Sequence, residues 1–228
     1  MAAIDCRDCA TAGSCVLGRL DETQQAFVAA HLRERVFSRG ETLLEEGRTS
    51  LHLRFIKLGT AIVHRRGLDG RARPIGVMRR GCAFGLFGAV DRPSPITGAA
   101  LTRVRVCELP VEVLRELGHL GNPSLTQHLL NALVENFSAL AAWSEAVRVP
   151  GVANQLACVA LLLADACDGA PVELPSQDAL ARLLGTRRES IARGLKALEL
   201  EGGIRRLDRK RCEVHRSGLL GRLARQAR

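Results

Sequence analysis

The sequence predicts an α+β fold made of a small β-barrel or sandwich, a long helix and a helical C-terminal module. Three observations lead to this prediction. Short alternating stretches recur between positions 36 and 110, a long helical pattern follows, and two short helices with a hairpin lie near the end of the chain. With 228 residues, of which 46% are apolar and 25% charged, the chain can bury a core in one large domain or two small ones.

The first region has the pattern of many short strands. Leu53 and Phe55 alternate with polar neighbours, and Val104 and Val106 do the same near the end of the region. Turn signals such as Asp69-Gly70 separate these stretches. Strands this short and this closely spaced are typical of a sandwich or a small barrel.

The long helix carries an apolar stripe from about position 123 to position 147. A stripe of this kind packs either against the barrel or against a second copy of the chain. The residues predicted for a homodimer interface are Leu125, Leu129, Leu133, Phe137 and Leu140. The break at Val149-Pro150-Gly151 then predicts a domain boundary.

The C-terminal region predicts a winged helix-turn-helix. Ser176 can cap a helix over 177–183, and Thr186 can cap a second helix over 187–200. Two short strands, 204–207 and 212–215, follow as a hairpin. Two helices across a glycine turn, followed by a basic hairpin, are typical of this DNA-binding module.

The basic charge is concentrated in this module. The chain carries 33 basic and 24 acidic residues, a net charge of +9. Positions 182–228 hold 14 basic and 5 acidic residues, which is also +9, so positions 1–181 sum to zero with 19 of each. This distribution favours double-stranded DNA as a partner, with a solvated basic tail as the alternative.

The second helix of the module offers a reading surface. Its apolar positions point to the core and leave one polar face outside. The predicted base-reading residues are Arg188, Glu189 and Arg193, and the predicted phosphate contacts are Arg187, Arg209, Lys210 and Arg211. Arginine can donate twice to guanine, and glutamate can accept from cytosine. The alternative is a surface helix whose charges pair with one another.

The cysteines point to metal chemistry. No basic-then-apolar leader opens the sequence, so we expect a cytoplasmic protein whose eight cysteines are not disulfides. Cys6, Cys9 and Cys15 form a C-x2-C-x5-C pattern, which suits an iron–sulfur cluster or another soft metal. Cys107 or Cys82 would complete a four-ligand site. Zinc, or reactive thiols without metal, remain alternatives.

At this point nearly the whole chain resembles the CRP/FNR family of bacterial transcription regulators. The segments that carry the resemblance are Ser38-Arg39-Gly40-Glu41, Leu58-Gly59-Thr60, Cys82-Ala83-Phe84-Gly85, Cys107-Glu108-Leu109-Pro110 and the helix from Arg187. The resemblance implies a cyclic-nucleotide-binding-like β-barrel (jelly roll), a dimerisation helix and the winged helix-turn-helix. The implied divisions are a cysteine-rich segment 1–17, a sensory barrel 18–117, a dimerisation helix 118–149 and a DNA-binding domain 150–228.

Within that family the cysteines look like the FNR branch. The branch implies an oxygen-labile [4Fe-4S] cluster on Cys6, Cys9, Cys15 and Cys107. It further implies a regulator that senses oxygen or nitric oxide, changes the geometry of a homodimer on an inverted repeat, and contacts RNA polymerase.

The sequence departs from the family patterns in two places. The pattern of the cyclic-nucleotide branch has a glutamate and a phosphate-binding arginine, and Leu86 and Pro95-Ile96 stand at the corresponding positions here. The resemblance therefore implies that no cyclic nucleotide binds. Ala192 replaces the serine of the FNR-type recognition helix, while Arg188, Glu189 and Arg193 look like the CRP triplet. We therefore predict a half-site nearer TGTGA than TTGAT.

Three other functions are alternatives on the same residues. A haem-based or thiol-based sensor on this scaffold would use one of the histidines or a reactive thiol; the histidines are His31, His52, His64, His119, His128 and His215. A zinc-stabilised DNA-binding protein would not sense at all. An enzyme is disfavoured because no phosphate-cradling glycine loop, H-E-x-x-H motif or nucleophile elbow is present.

Overall fold

The computed structural model describes residues 6, 9, 12–13, 15–119, 123–165 and 171–226. The chain divides into two compact units, Met1–Leu140 and Ala141–Arg228, and the long helix runs across that division. The domain boundaries predicted from the sequence stay predictions. Among the described residues, no helix has both the length and the apolar character needed to cross a bilayer.

The described part of the first unit holds eight strands in two antiparallel sheets. Their bounds are β1 Arg33–Phe37, β2 Thr42–Leu44, β3 His52–Leu58, β4 Ala61–Arg66, β5 Ala72–Met78, β6 Ala83–Phe84, β7 Thr97–Ala100 and β8 Val104–Pro110. The first sheet has the order β1-β8-β3-β6, and the second has the order β2-β7-β4-β5. Two four-stranded sheets of this kind confirm the predicted jelly-roll barrel and the α+β class.

Alternation along the strands gives the first sheet two buried faces. One face, with Ile56, Val104 and Val106, packs together with residues of the second sheet, and we call this the inner core. The opposite face, with Phe55 and Leu109, packs under the N-terminal segment and the helices, and we call this the outer core. Because side chains alternate along a strand, a single strand such as β8 supplies both cores.

Among the described residues, three α-helices belong wholly or partly to this unit: α1 Glu22–Ala29, α2 Val111–His119 and α3 Pro123–Ala146. Asp21 caps α1. Its carboxylate accepts from the Gln24 backbone at 2.9 Å, and the Gln24 side chain accepts from the Asp21 backbone, which forms a capping box. The helix ends at Ala29, and Leu32 beyond it is buried in the outer core.

The second unit is a winged helix-turn-helix with flanking elements. Its elements are α4 Val152–Ala164, β9 Val172–Glu173, α5 Gln177–Leu183, α6 Arg188–Leu200, β10 Ile204–Arg206, β11 Arg211–Val214 and α7 Arg216–Gln226. Strand β9 extends the predicted hairpin to a sheet of order β10-β11-β9. Neither β9 nor α7 is predicted from the sequence.

The two helices of the helix-turn-helix, α5 and α6, are capped differently. Ser176 caps α5 as predicted, since its hydroxyl accepts from the Ala179 backbone at 3.2 Å. The prediction that Thr186 caps α6 is wrong. The residue at the cap position is Arg187, which makes no side-chain cap bond, and the helix begins one residue later than predicted, at Arg188.

Candidate functional site

Helix α6 is fixed on its inner side and open on its outer side. Ile191, Leu195 and Leu198 are each at most 4% exposed. Gly194 permits close packing on α4, because a Cβ there would lie 2.7 Å from the Leu156 Cδ1 atom. A rigid inner face of this kind holds the outer side chains in a defined orientation.

The predicted base-reading residues lie on that outer side. Arg188, Glu189 and Arg193 are all exposed and occupy the first half of α6. Arg193 contacts the Ser190 hydroxyl at 3.4 Å, and Arg188 lies 3.9 Å from the Asp178 carboxylate of α5. The ion pair of Arg188 is therefore formed with α5 rather than with Glu189. Both members are about 65% exposed, so this ion pair contributes little to stability.

The wing is a tight basic turn organised by one carboxylate. The Asp208 carboxylate accepts the backbone N–H groups of Lys210 and Arg211 at 2.7 and 2.9 Å, and the Arg211 guanidinium at 2.7 Å. These bonds, the one from Lys210 first, hold the pKa of Asp208 at about 2. Arg209, Lys210 and Arg211 are all exposed around the turn.

An open groove of about 720 Å³ connects the wing to the start of α6. Its lining joins Arg188 of α6 and Asp178 of α5 to the basic residues of the turn. The structure therefore brings the predicted reading end of α6 and the predicted phosphate-binding turn to one surface. Arg187 is exposed beside Arg188, at the entry to the helix.

The buried cysteines of the first unit are divided between the outer core and the inner core. Cys6, Cys15 and Cys107 are buried together in the outer core. Cys82 is buried in the inner core, between the two sheets. Cys9 is half-buried and lies close enough to Cys15 and Cys107 to interact electrostatically with both. The structure thus brings Cys107, and not Cys82, to the N-terminal trio, and we call Cys6, Cys9, Cys15 and Cys107 the cysteine site.

The location of Cys107 follows from alternation on β8. Val104 and Val106 are fully buried in the inner core, so the side chain between them and the one after them point to the other face. Cys107 lies opposite Glu34 of β1 and opposite Phe55 of β3. The N-terminal segment covers this face and buries the thiol to 5% exposure.

Burial keeps Cys15 and Cys107 in the thiol form when no metal is bound. Desolvation raises the pKa of Cys107 to about 12, and it also raises the pKa of Cys15. Lys57 acts in the opposite direction on both groups. Burial would lower the pKa of Lys57, but the bond to Glu34 and the neighbouring thiols raise it overall. A thiolate here therefore needs a cation in contact with it, which a metal would supply.

Thiol groups are the ligands that iron–sulfur clusters use. Cys6, Cys15 and Cys107 offer them from an apolar core, and Cys9 offers one from a half-buried position. Within the described parts of the chain, no three His, Cys, Asp or Glu side chains are arranged to hold one metal ion.

The positions that would bind a cyclic nucleotide carry apolar side chains. Leu86 packs against the outer core, and Ile96 packs against the inner core. Neither residue can pair with a ribose or a phosphate. The expectation that no cyclic nucleotide binds stays a prediction.

The apolar stripe predicted on α3 divides between two environments. Leu125 is buried in the outer core and Leu129 packs against it, while Leu140 packs against the inner core. Leu133 and Phe137 are exposed, by 46% and 72%. A ladder with a spacing of four residues drifts around a helix by about 40° per step, which carries this stripe from the chain's own core to the surface.

The exposed apolar face of α3 includes two residues that the sequence prediction missed. Leu130 and Val134 are 51% and 60% exposed, and with Leu133 and Phe137 they have the i, i+3, i+4, i+7 spacing of one helix face. The signal was present in the sequence, because this spacing matches the helical period better than a spacing of four.

Comparison with known proteins agrees with this architecture. A model described as the cyclic nucleotide-binding domain matches residues 34–119, and one described as the Crp-like helix-turn-helix domain matches residues 156–223. The chain belongs to the CRP/FNR family of DNA-binding transcription regulators. Regulators of this family are DNA-binding transcription factors and not enzymes.

Several solved structures share the fold. A regulatory protein of Silicibacter pomeroyi, described as cAMP-binding, is 25% identical over 94% of this chain and 97% of its own, with a TM-score of 0.63. A CRP-family transcriptional regulator of Thermus thermophilus is 20% identical over 83% and 96%, with a TM-score of 0.65. FixK2 of Bradyrhizobium japonicum is 16% identical over 83% and 96%, with a TM-score of 0.69. The curated proteins gave no match to this chain.

Proposed function

We propose that this regulator senses oxygen or nitric oxide through a [4Fe-4S] cluster held by Cys6, Cys9, Cys15 and Cys107. The observation that carries the proposal is the placement of Cys107. It shares one apolar core with Cys6 and Cys15, while Cys82 lies in the other core. When bound, the cluster would supply an oxygen-labile and nitric-oxide-labile link between the N-terminal segment and strand β8.

The outer core connects the cysteine site to the helix that carries the exposed apolar face. Strand β8 leads at once into α2, and Leu114 and Leu117 of α2 are buried with Cys107. Leu125 and Ala132 of α3 belong to the same core. Any change in how the N-terminal segment packs therefore alters the support of α3. A signal at the thiols can bias two arrangements of a homodimer by this route.

The DNA-binding surface then determines where the regulator acts. We propose that Arg188, Glu189 and Arg193 read base edges, while Arg187, Arg209, Lys210 and Arg211 contact phosphates. Two copies would occupy an inverted repeat with half-sites one helical turn apart. Contact with RNA polymerase is part of this proposal. A selection on random duplexes should return TGTGA-like half-sites, and recovery of TTGAT-like half-sites alone would contradict the base-reading assignment.

A thiol-based sensor receives less support from the structure. Reactive cysteines have a depressed pKa and are accessible to solvent. Cys15 and Cys107 are buried, and their pKa values are raised by desolvation. These features describe thiols that stay inert until a metal takes their protons.

The test is to measure iron and acid-labile sulfide in protein purified without oxygen. We expect about four of each per chain, with a broad visible band that bleaches in air. Cys107→Ala should abolish the band, while Cys82→Ala should retain it. The two variants are matched, since each removes one buried thiol from the barrel.

Two results would overturn the proposal. One is the absence of iron after anaerobic reconstitution of a folded chain. The other is a band that survives Cys107→Ala and is lost in Cys82→Ala. With iron absent, haem, zinc and direct thiol oxidation become the chemistries to test, and the DNA-binding assignment is unaffected.

A further inference from the structure

An ion pair bridges strand β8 beside the cysteine site. The Lys57 Nζ atom of β3 lies 2.6 Å from the Glu34 Oε1 atom of β1. Strand β8 lies between β3 and β1 in the first sheet. The two side chains therefore span about 9.5 Å of sheet, two strand spacings, across the strand that carries Cys107.

The register shows on which face of the sheet this bridge lies. Glu34 is directly opposite Cys107 in the pairing of β1 with β8. Residues directly opposite each other in an antiparallel pair project from the same face. Because Lys57 reaches the Glu34 carboxylate, its ammonium group lies on the Cys107 face as well.

Alternation along β3 agrees with this placement, because Lys57 follows Phe55 by two residues and Phe55 lies opposite Cys107. The pairing of β3 with β8 shifts between Ile56 and Leu58, so Lys57 is the extra residue. The Lys57 side chain is only 22% exposed, so its charge is partly shielded from water.

We propose that Lys57 is the counter-ion of the cysteine site and that Glu34 holds it in position. The inference rests on the proposed function. Four thiolates with the iron–sulfur group carry net negative charge in an apolar core, and a fixed ammonium group beside them offsets the cost of that charge. Lys57 touches none of the reacting atoms in this account and is a positioning residue.

The test compares two substitutions that change the local charge in opposite directions. Lys57→Gln removes a positive charge, and Glu34→Gln removes a negative charge while keeping an acceptor oxygen for Lys57. Iron release to a chelator without oxygen should be about twofold to fivefold faster in Lys57→Gln, the range expected for a partly exposed charge pair. Lys57→Arg should restore the native rate.

Measuring the midpoint potential of the bound cluster distinguishes a charge effect from weaker packing around the cluster. It should shift downward in Lys57→Gln, because adding an electron becomes harder, and upward in Glu34→Gln. Arg73→Gln is the control, since it breaks the exposed Arg73–Asp69 pair of the β4–β5 hairpin. This control should match the native protein in both measurements.

The outcomes separate this inference from the proposed function. Native protein that holds iron while Lys57→Gln behaves identically overturns the counter-ion role alone. Shifts in the same direction for Lys57→Gln and Glu34→Gln also overturn it, because they indicate a structural role for the pair. Native protein without iron overturns the proposed function and this inference together.

Discussion

At the residue scale, single side chains carry the two sites. Asp208 organises the wing through three hydrogen bonds, and Cys107 joins the N-terminal trio because it follows two valines on an alternating strand. The alternation that exposes Cys107 to the outer core could be predicted from the sequence. Which face the N-terminal segment covers could not, because that depends on packing between distant parts of the chain.

The wing turn should resist acid down to a low pH. The pKa of Asp208 is about 2, below its ordinary value of 3.8. A carboxylate with a depressed folded-state pKa contributes stability above its unfolded pKa, and this is lost as pH falls through the folded value. The Lys210 and Arg211 amide NMR shifts should therefore change with a midpoint near pH 2. A midpoint near pH 4 would contradict the hydrogen-bonded turn.

Base-reading and phosphate-binding arginines should respond differently to substitution. Arg193→Ala should cost about 1–3 kcal/mol on the preferred duplex and relax specificity at one position of each half-site. Arg209→Ala should weaken binding to all sequences and reduce the salt slope by about one per subunit. Titrations of specific and scrambled duplexes at several salt concentrations measure both effects. Glu199→Ala, at the far end of α6, is the control and should change neither.

At the element scale, helix α3 packs against the barrel and also carries the exposed apolar face. Asn136 forms two hydrogen bonds with the backbone of Ala83, accepting at 3.1 Å and donating at 2.7 Å. Leu140 packs so closely on β5 that a Cβ at Gly76 would lie 2.3 Å from its Cδ2 atom. The existence of α3 could be predicted from its period. Its division between core and surface needed the barrel to be in place.

Removing the amide of Asn136 should loosen α3 from the barrel. Asn136→Ala leaves the backbone N–H and C=O groups of the buried Ala83 without their partner, which should cost about 1–3 kcal/mol in the free energy of unfolding. Denaturant titration measures this loss. Gln127→Ala removes an exposed amide from the same helix and should change stability by less than about 0.5 kcal/mol. Equal effects of the two substitutions would contradict a stabilising role for the hydrogen bonds between Asn136 and Ala83.

The exposed face of α3 should control oligomeric state. Phe137→Asp places a charge on the face formed by Leu130, Leu133, Val134 and Phe137, so it should shift a dimer toward monomer in sedimentation experiments. Asn131→Asp adds the same charge to the same helix away from that face and should leave the dimer intact. A Phe137→Asp protein that remains dimeric would assign the interface to another surface.

At the scale of the whole molecule, the sequence predicts more of the fold than of the sensory chemistry. Strand alternation predicts the barrel. The DNA-binding module is predicted by the helix pair α5 and α6 and by the +9 charge at positions 182–228. Strand β9 and helix α7 escape prediction because β9 has only two residues and α7 depends on packing with α4. The Lys57–Glu34 bridge escapes it because strand order, and not sequence distance, brings the two residues together.

Control of DNA binding by the cysteine site can be tested by measuring DNA affinity in one preparation before and after exposure to air. Protein purified without oxygen should bind an inverted-repeat duplex, lose its visible band in air, and lose affinity at least about tenfold as the band disappears. Cys82→Ala should follow the native protein, while Cys107→Ala should bind weakly both before and after. Affinity that stays unchanged while the band bleaches would contradict the claim that the cysteine site controls DNA binding.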